Sequence, residues 1–409
     1  MSEYTKFTED MIKTHTILVP NMLPVHFRLI MAVFENKGYK MELLETDSRN
    51  VVDEGLKNVH NDACYPALLV IGQFMDALKS GKYDPDKTAL LITQTGGGCR
   101  ASNYIYLLRK AVERNFPQVP VVSLNFSGLE KDSAFRISFN MFIRMLYAVL
   151  YGDLLMICYN KCRSYEINKG DAKKTLNKWQ KQLGEIFRTG SSRYTHTKKF
   201  YKEILNDFSA IKISDDKKIK VGIVGEIYVK YSPLANNHLE DFLISEGCEP
   251  IVPSLLEFIM YCAAGTFNDA EIYNTKNSQS YIYKLGYKLI YSKQKELIRI
   301  MKENGKFEAP HDFEHLRSLA DKYINQGVVM GEGWLIPAEM AALAKSGVEN
   351  IICAQPFGCL PNHIVAKGMS RAIKQDNPDA NIVSIDYDPG ATRVNQENRI
   401  KLMLANAKR

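Results

Sequence analysis

Apolar residues in this chain gather in two kinds of run. Short blocks such as Ala89-Leu90-Leu91-Ile92 and Val221-Gly222-Ile223-Val224 are closed by polar or glycine-rich turns. Longer stretches between them repeat an apolar position every three or four residues. Blocks of the first kind read as strands buried on both faces, and stretches of the second as helices laid over them. Over the first part of the chain this predicts strands at 16–20, 41–45, 88–93 and 119–124, with helices at 24–36, 65–80 and 101–114. Strands separated by helices of that length imply a parallel, doubly wound sheet.

The pattern changes at about residue 131, and from there to 216 no strand-like block occurs. Residues 139–158 are long and apolar enough for a membrane span. Arg144, Gly152 and Asp153 interrupt them and a basic loop follows, so a buried core helix is expected. Lys-rich amphipathic stretches come next and end at the charged turn Asp215-Asp216-Lys217-Lys218. The α/β pattern then restarts, with strands expected at 219–225, 248–253, 350–354 and 381–386. Helices are expected at 337–345, after Asn362, and at 394–407, and a helical, tyrosine-containing insertion at about 255–325. The expectation is an α/β protein of two Rossmann-like (flavodoxin-like) parallel-sheet lobes with helical insertions. Its parts are a first lobe 1–130, a helical basic segment 131–216, and a second lobe 217–409.

Composition adds little to this: 45% hydrophobic and 24% charged residues in a chain of 409 is ordinary for a folded protein of two domains. Charge adds more, because the net +7 is local. Residues 161–220 hold 16 Lys/Arg against 7 Asp/Glu. A solvated helical face is the plain reading of that block, and a site for an acidic partner or a phosphorylated ligand is the other. No aromatic-interleaved motif accompanies it, so nucleic acid is not an expected partner. Residues 1–11 are polar and charged, without the apolar core of a secretory signal, and a cytoplasmic protein is expected.

Eight cysteines in a reducing compartment are core residues, metal ligands or reactive thiols rather than disulfides. Three stand in settings that suit a ligand. Cys64 lies in Asn61-Asp-Ala-Cys-Tyr-Pro66, a polar turn before a helix. Cys99 lies in Thr95-Gly-Gly-Gly-Cys-Arg-Ala-Ser102 and Cys359 in Gln355-Pro-Phe-Gly-Cys-Leu-Pro-Asn-His363, each between a strand and a helix. Loops at the carboxyl ends of parallel strands form the ligand crevice of such sheets. Helix N-termini favour thiolate, and flanking glycines let backbone amides approach cluster sulfurs. The wide spacing of the three fits no local ferredoxin pattern, and zinc is the competing metal, with His60 or His363 as a fourth ligand. Cys158 and Cys162, four apart on a helix, and Cys248, Cys262 and Cys353 read as structural.

Other candidates flank these. The loop 95–103 could cradle a phosphate, but it has neither the dinucleotide fingerprint nor the Walker Lys-Ser/Thr, which argues against nucleotide hydrolysis. Glu226 and Lys230, after the strand at 219–225, read as an exposed charged pair or as substrate contacts. His363 is positioned to donate a proton or to cap a helix. The carboxylates of Asp386-Tyr-Asp-Pro-Gly-Ala-Thr392 read as turn caps.

Taken together, Asn61-Asp-Ala-Cys-Tyr-Pro, Thr95-Gly-Gly-Gly-Cys-Arg-Ala-Ser-Asn, Gly331-Glu-Gly-Trp-Leu, Gln355-Pro-Phe-Gly-Cys-Leu-Pro-Asn-His and Ile385-Asp-Tyr-Asp-Pro-Gly-Ala resemble the 2-hydroxyacyl-CoA dehydratase superfamily. The closest likeness is to the dehydratase-like module of fused activase–dehydratase proteins, and it spans nearly the whole chain. The resemblance implies a [4Fe-4S] cluster, or a double cubane, held by Cys64, Cys99 and Cys359. It implies a separate ATP-dependent activator of actin/Hsp70-like fold that delivers a low-potential electron, an acyl-CoA or other small substrate, and a homodimer. Glu226 and His363, read from their own settings after a strand and at a helix start, are the candidate catalytic groups. Three thiolates leave one iron of a cubane open for chemistry, whereas a double cubane would need Cys158, Cys162 and Cys353 as well. A non-catalytic iron–sulfur electron-transfer or regulatory protein, and a zinc-containing two-lobed binder, remain the alternatives.

Overall fold

The computed structural model describes residues 4–60, 62–94, 98–125, 134–274 and 278–407. After a short helix α1 (Met11–Thr14), the first lobe runs β1 (Thr16–Pro20), α2 (Pro24–Glu35), β2 (Lys40–Leu44), α3 (Arg49–Asn58) and α4 (Tyr65–Lys79). It continues with β3 (Thr88–Gln94), α5 (Tyr104–Asn115) and β4 (Val121–Asn125). Three helices follow without a strand: α6 (Phe139–Tyr165), α7 (Asp171–Arg188) and α8 (Thr197–Ser209). The second lobe opens with β5 (Ile219–Gly225), α9 (Ile227–Tyr231), α10 (Pro233–Asn236), α11 (Leu239–Ser245) and β6 (Cys248–Ile251). A helical excursion comprises α12 (Leu255–Ile272), α13 (Ser278–Asn304) and α14 (Phe313–Ala320). Then α15 (Leu335–Lys345), β7 (Asn350–Pro356), α16 (Lys367–Asp376), β8 (Asn381–Tyr387) and α17 (Arg393–Ala405) complete the lobe.

Each lobe holds a four-stranded parallel sheet, and the two sheets share one strand order: β2-β1-β3-β4 and β6-β5-β7-β8. The expected α/β architecture with two Rossmann-like lobes is what forms. The apolar block Ala89–Ile92 is buried on both faces, as a central parallel strand requires, and all of β7 is buried. The outer strands β2 and β8 alternate or stay half-buried. In this order the chain reverses direction of winding between β1 and β3, and between β5 and β7, so each lobe has a crevice at the carboxyl ends of those strands.

Helix α6 is long and apolar enough to cross a membrane, but 78% of its apolar window is buried inside the protein. It packs against α2 and α7 of one side and β6 and α12 of the other. The polar residues that interrupt it have specific partners. Arg144 Nη1 donates to Asn36 Oδ1 at 2.6 Å, and Gly152 leaves room for the His26 ring, which a Cβ there would meet at 2.3 Å. Asp153, fully buried, accepts from His26 Nε2 at 2.8 Å and from the amides of Leu255 and Leu256 at 2.8 and 3.1 Å. Much of the basic block is paired: Lys161 to Glu249, Arg163 to Glu240 and Asp241, Lys178 to Asp207, and Arg188 to Glu35.

The sequence pattern passes over α3, and over α9 to α11. Helix α3 buries only Val51, Val52 and Gly55, too few apolar positions to show a stripe. What seats it is a close crossing with α4, where a Cβ on Gly72 would stand 2.0 Å from Val51 O and one on Gly55 2.4 Å from Leu68 O. Gly72→Ala is therefore expected to destabilise the protein by about 1–3 kcal/mol, since the contacted atoms are backbone and cannot rotate away. The denaturant midpoint measures it, and an unchanged midpoint would show that the two helices can part without cost.

Candidate metal centre in the cleft between the lobes

Cys99 follows β3 and Cys359 follows β7, so both stand where the crevice of their own lobe opens. Cys64 precedes α4 as its N-cap residue, with extended backbone and Pro66 in the first helical turn. The Cys64 and Cys359 loops touch across the lobes. Tyr65 N donates to Phe357 O at 3.1 Å, and a Cβ on Gly358 would lie 3.4 Å from Cys64 Cα. Gly358 has φ +72°, a left-handed conformation that glycine adopts without strain. Arg100, next to Cys99, hydrogen-bonds to Asp62 O and would meet that same Gly358 Cβ at 2.9 Å, which joins the third loop to the other two.

Each of the three sulfurs has a hydrogen-bonding group against it. Cys64 Sγ lies 2.7 Å from Tyr104 Oη, Cys99 Sγ accepts from Ala101 N at 3.3 Å, and Cys359 Sγ accepts from Asn362 Nδ2 at 3.2 Å. Asn362 is fully buried and its Oδ1 accepts from Cys353 Sγ at 3.3 Å, so one amide orients two thiols. Cys64 and Cys359 are buried and Cys99 is partly so. Burial is the main force on all three, and it pushes the thiols upward, Cys99 to about 11. Negative neighbours push the same way: Glu332, Cys64 and Glu226 for Cys99, and Glu332 and Glu226 for Cys359. The thiols are thus held protonated in the absence of a cation, and a metal would supply the missing positive charge. Among the described residues no three His, Cys, Asp or Glu side chains stand close enough in this geometry to hold an ion; the cysteines line the cleft without closing on one point.

The remaining sequence candidates separate. Glu226 lies at the cleft and caps α9 by accepting from Val229 N at 2.8 Å. Burial, reinforced by Glu332, pushes it up to about 8 against the opposing pull of the Val229 and Tyr228 amides and Lys230. Lys230 is not an exposed partner of Glu226. It is 2% exposed, and its Nζ donates to both oxygens of Glu339 at 3.0 and 3.2 Å. His363 is exposed, with Nδ1 accepting from Gln355 Nε2 at 2.9 Å while Gln355 also donates to Asp386. His60 is exposed beside Asp62. Asp388 caps its turn through the amides of Gly390 and Ala391. Cys158, Cys162, Cys248 and Cys353 are buried, whereas Cys262, expected in the core, is exposed on α12. Asn61 and the glycine-loop residues Thr95, Gly96 and Gly97 lie outside the described residues.

Three buried carboxylates of this region were given no role by the sequence pattern: Glu257, Glu332 and Glu339. The signal was present, since Glu257 and Glu339 each interrupt an otherwise apolar helical run, and a lone acid there requires a partner. Glu332 accepts from Ile227 N at 2.9 Å, and its segment is fixed beside α12 by Tyr261 Oη donating to Gly331 O at 2.9 Å. A broad cavity of about 640 Å³ lies elsewhere, at the amino-terminal edge of the second sheet, lined by Lys161, Lys217, Lys218 and Lys220 but also by Asp215, Asp216 and Glu349. That mixed lining does not select an anion. No family model, curated protein or solved structure matches the chain.

Removing Lys230 tests the buried pair. Lys230→Met is expected to cost roughly 3–5 kcal/mol at neutral pH, because it strands the Glu339 carboxylate in the interior. Burial already raises Glu339 above its ordinary value, with Lys230 opposing, and losing the lysine raises it further. The penalty should therefore be smallest below the ordinary carboxylate range and grow as pH rises. Denaturation curves across pH check this, and a pH-independent loss would contradict it.

Proposed function

We propose that this chain is the iron–sulfur component of a 2-hydroxyacyl-CoA dehydratase-like system. It accepts low-potential electrons from an ATP-dependent activator of actin/Hsp70-like fold and dehydrates or reduces a small substrate. The observation that carries the reading is the meeting of three loops, bearing Cys64, Cys99 and Cys359, at matching crevices of two lobes with one strand order. What supports a cluster is the chemistry of the donors, three sulfurs each with an N–H or O–H group against it beside glycine backbone, and not their spacing, which does not close on one ion. Such a cluster, when bound, supplies a one-electron store and an iron open to a leaving hydroxyl.

The protein's own residues have definite tasks in this reading. Cys64, Cys99 and Cys359 hold the cluster, while Tyr104, the Ala101 amide and Asn362 fix the direction of each sulfur. Glu226, which burial brings to about 8, acts electrostatically on all three cysteines and in this reading supplies a proton to the departing hydroxyl or the reduced product. Trp334 and Tyr261 pack edge to face at 5.1 Å beside the segment bearing Glu332. The histidines that would complete a zinc set are both on the surface, beside Asp62 and Gln355, which favours iron–sulfur over zinc. Eight free thiols suit a cytoplasmic location, and a homodimer and an acyl-CoA substrate belong to the same reading.

Protein purified without oxygen should be brown, with about four irons per chain and an electron paramagnetic resonance signal on reduction. Cys99→Ala and Cys359→Ala should each lose most of the iron while staying folded, and Cys158→Ala should keep it. A colourless protein carrying zinc would end the proposal. Reduced protein mixed with activator and ATP should consume an acyl-CoA thioester or another small reducible compound. Retention of the cluster with no consumption across a broad panel would leave electron transfer or regulation as the role.

A further inference from the structure

Behind the cleft lies a group of ionisable side chains whose charges do not balance. Lys230 is the ammonium of this group, and Glu339 takes it with both oxygens at 3.0 and 3.2 Å. Glu257, on α12, is 1% exposed and its Oε2 has no hydrogen-bond partner. Asp153, from α6, also acts on Glu257, but its own oxygens are filled by His26 and by the amides of Leu255 and Leu256. Tyr231, beside Lys230, gives its hydroxyl to Pro253 O and so is not a donor to Glu257. The Ser254 hydroxyl is close enough to soften the effect of burial on Glu257 but not to bond it. His26, with Nδ1 unpartnered, is spent on Asp153.

One buried ammonium can neutralise one buried carboxylate. A second, with an oxygen facing no donor, costs several kcal/mol to keep ionised in a water-excluded site, so it holds its proton instead. Burial and then Glu339 both raise Glu257, and Lys230 alone among the cations opposes them. On the cleft side the same lysine and Glu339 act on Glu332, which in turn acts on Glu226, Cys99, Cys353, Cys359, Cys262 and Tyr261. Glu332 therefore couples electrostatically both to the buried pair and to the cysteines. Buried donors without protein partners, Ser254 Oγ and Trp334 Nε1, flank the two ends, and such atoms are the usual seats of internal water.

We propose that Glu257, Glu339 and Lys230 form a proton store behind the cleft, with Glu339 balancing the ammonium and the stored proton on Glu257, and with Glu332 as its outlet toward the cysteines. This deepens the iron–sulfur reading and rests on it, because a site that receives electrons and expels hydroxide needs protons delivered where bulk water is excluded. Delivery moves one proton from Glu257 through the Glu339–Lys230 pair to Glu332. It leaves a second carboxylate on the ammonium until a proton from solvent restores the store. No electron moves within the store.

The experiment uses the full chain, purified without oxygen, in two measurements. Infrared spectra at neutral pH, recorded in water and in D2O, should show a protonated-carboxyl band that Glu257→Gln removes as one component. Glu339→Gln should remove the same component by a different route, because the freed ammonium turns to Glu257 and ionises it. A band left intact in both variants, or absent from the unmodified protein, would overturn the stored proton. In the iron-loaded protein, the midpoint potential should shift with pH, and Glu257→Gln should flatten that shift without loss of iron. An unaltered pH dependence would show that the store is not coupled to the cleft, which also overturns the proposal. The infrared result does not need metal, so a colourless protein that keeps the Glu257 band would sink the iron–sulfur reading and leave the stored proton standing.

Discussion

The molecule turns on Asp153. A carboxylate with no exposed surface is tolerable only when its oxygens are filled, and here they are filled from both sides of the protein. His26 comes from α2 of the first lobe, and the amides of Leu255 and Leu256 open α12 of the second. The two amides are orphan donors of a helix N-terminus, so the acid satisfies them and meets the positive end of the helix dipole at once. Through this one side chain α6 becomes the spine to which both lobes are fixed. With that spine in place, two sheets of the same winding present their carboxyl ends to a shared cleft.

How much of this could be read from the chain alone follows from what each signal depends on. The buried strands were legible because a parallel strand covered on both faces needs a continuous apolar run, and Ala89–Ile92 and Ile351–Ala354 of β7 are such runs. Helix α6 was legible as core because Arg144 and Asp153 are too costly for lipid. Helix α3 was not, since its seat is a glycine crossing that depends on a partner helix rather than on its own pattern. Helices α9 to α11 are too short to show a period.

The site divides along the same line. Cys99 and Cys359 announce themselves by position, after a strand and before a helix, and Cys64 by its proline-stiffened helix start. Their second layer was invisible, because Tyr104, Asn362 and Arg100 act through distances that only the folded chain sets. Lys230 misled for a related reason. Four residues after Glu226, it has the spacing of a surface ion pair, yet the fold turns it inward to Glu339, 109 positions away. A local rule lost to a tertiary one, and the loss marks the place where the interior holds more acidic side chains than basic ones.

The hydrogen bond from Tyr65 N to Phe357 O joins the residue after one cysteine to a residue two before another. Because it is a main-chain bond, no side-chain rotation can release it. Any hinge motion that widened the gap at that seam would have to drag Cys64 and Cys359 apart with it. Opening of the lobes and separation of these two thiols are therefore mechanically the same coordinate, and the seam resists the one by resisting the other.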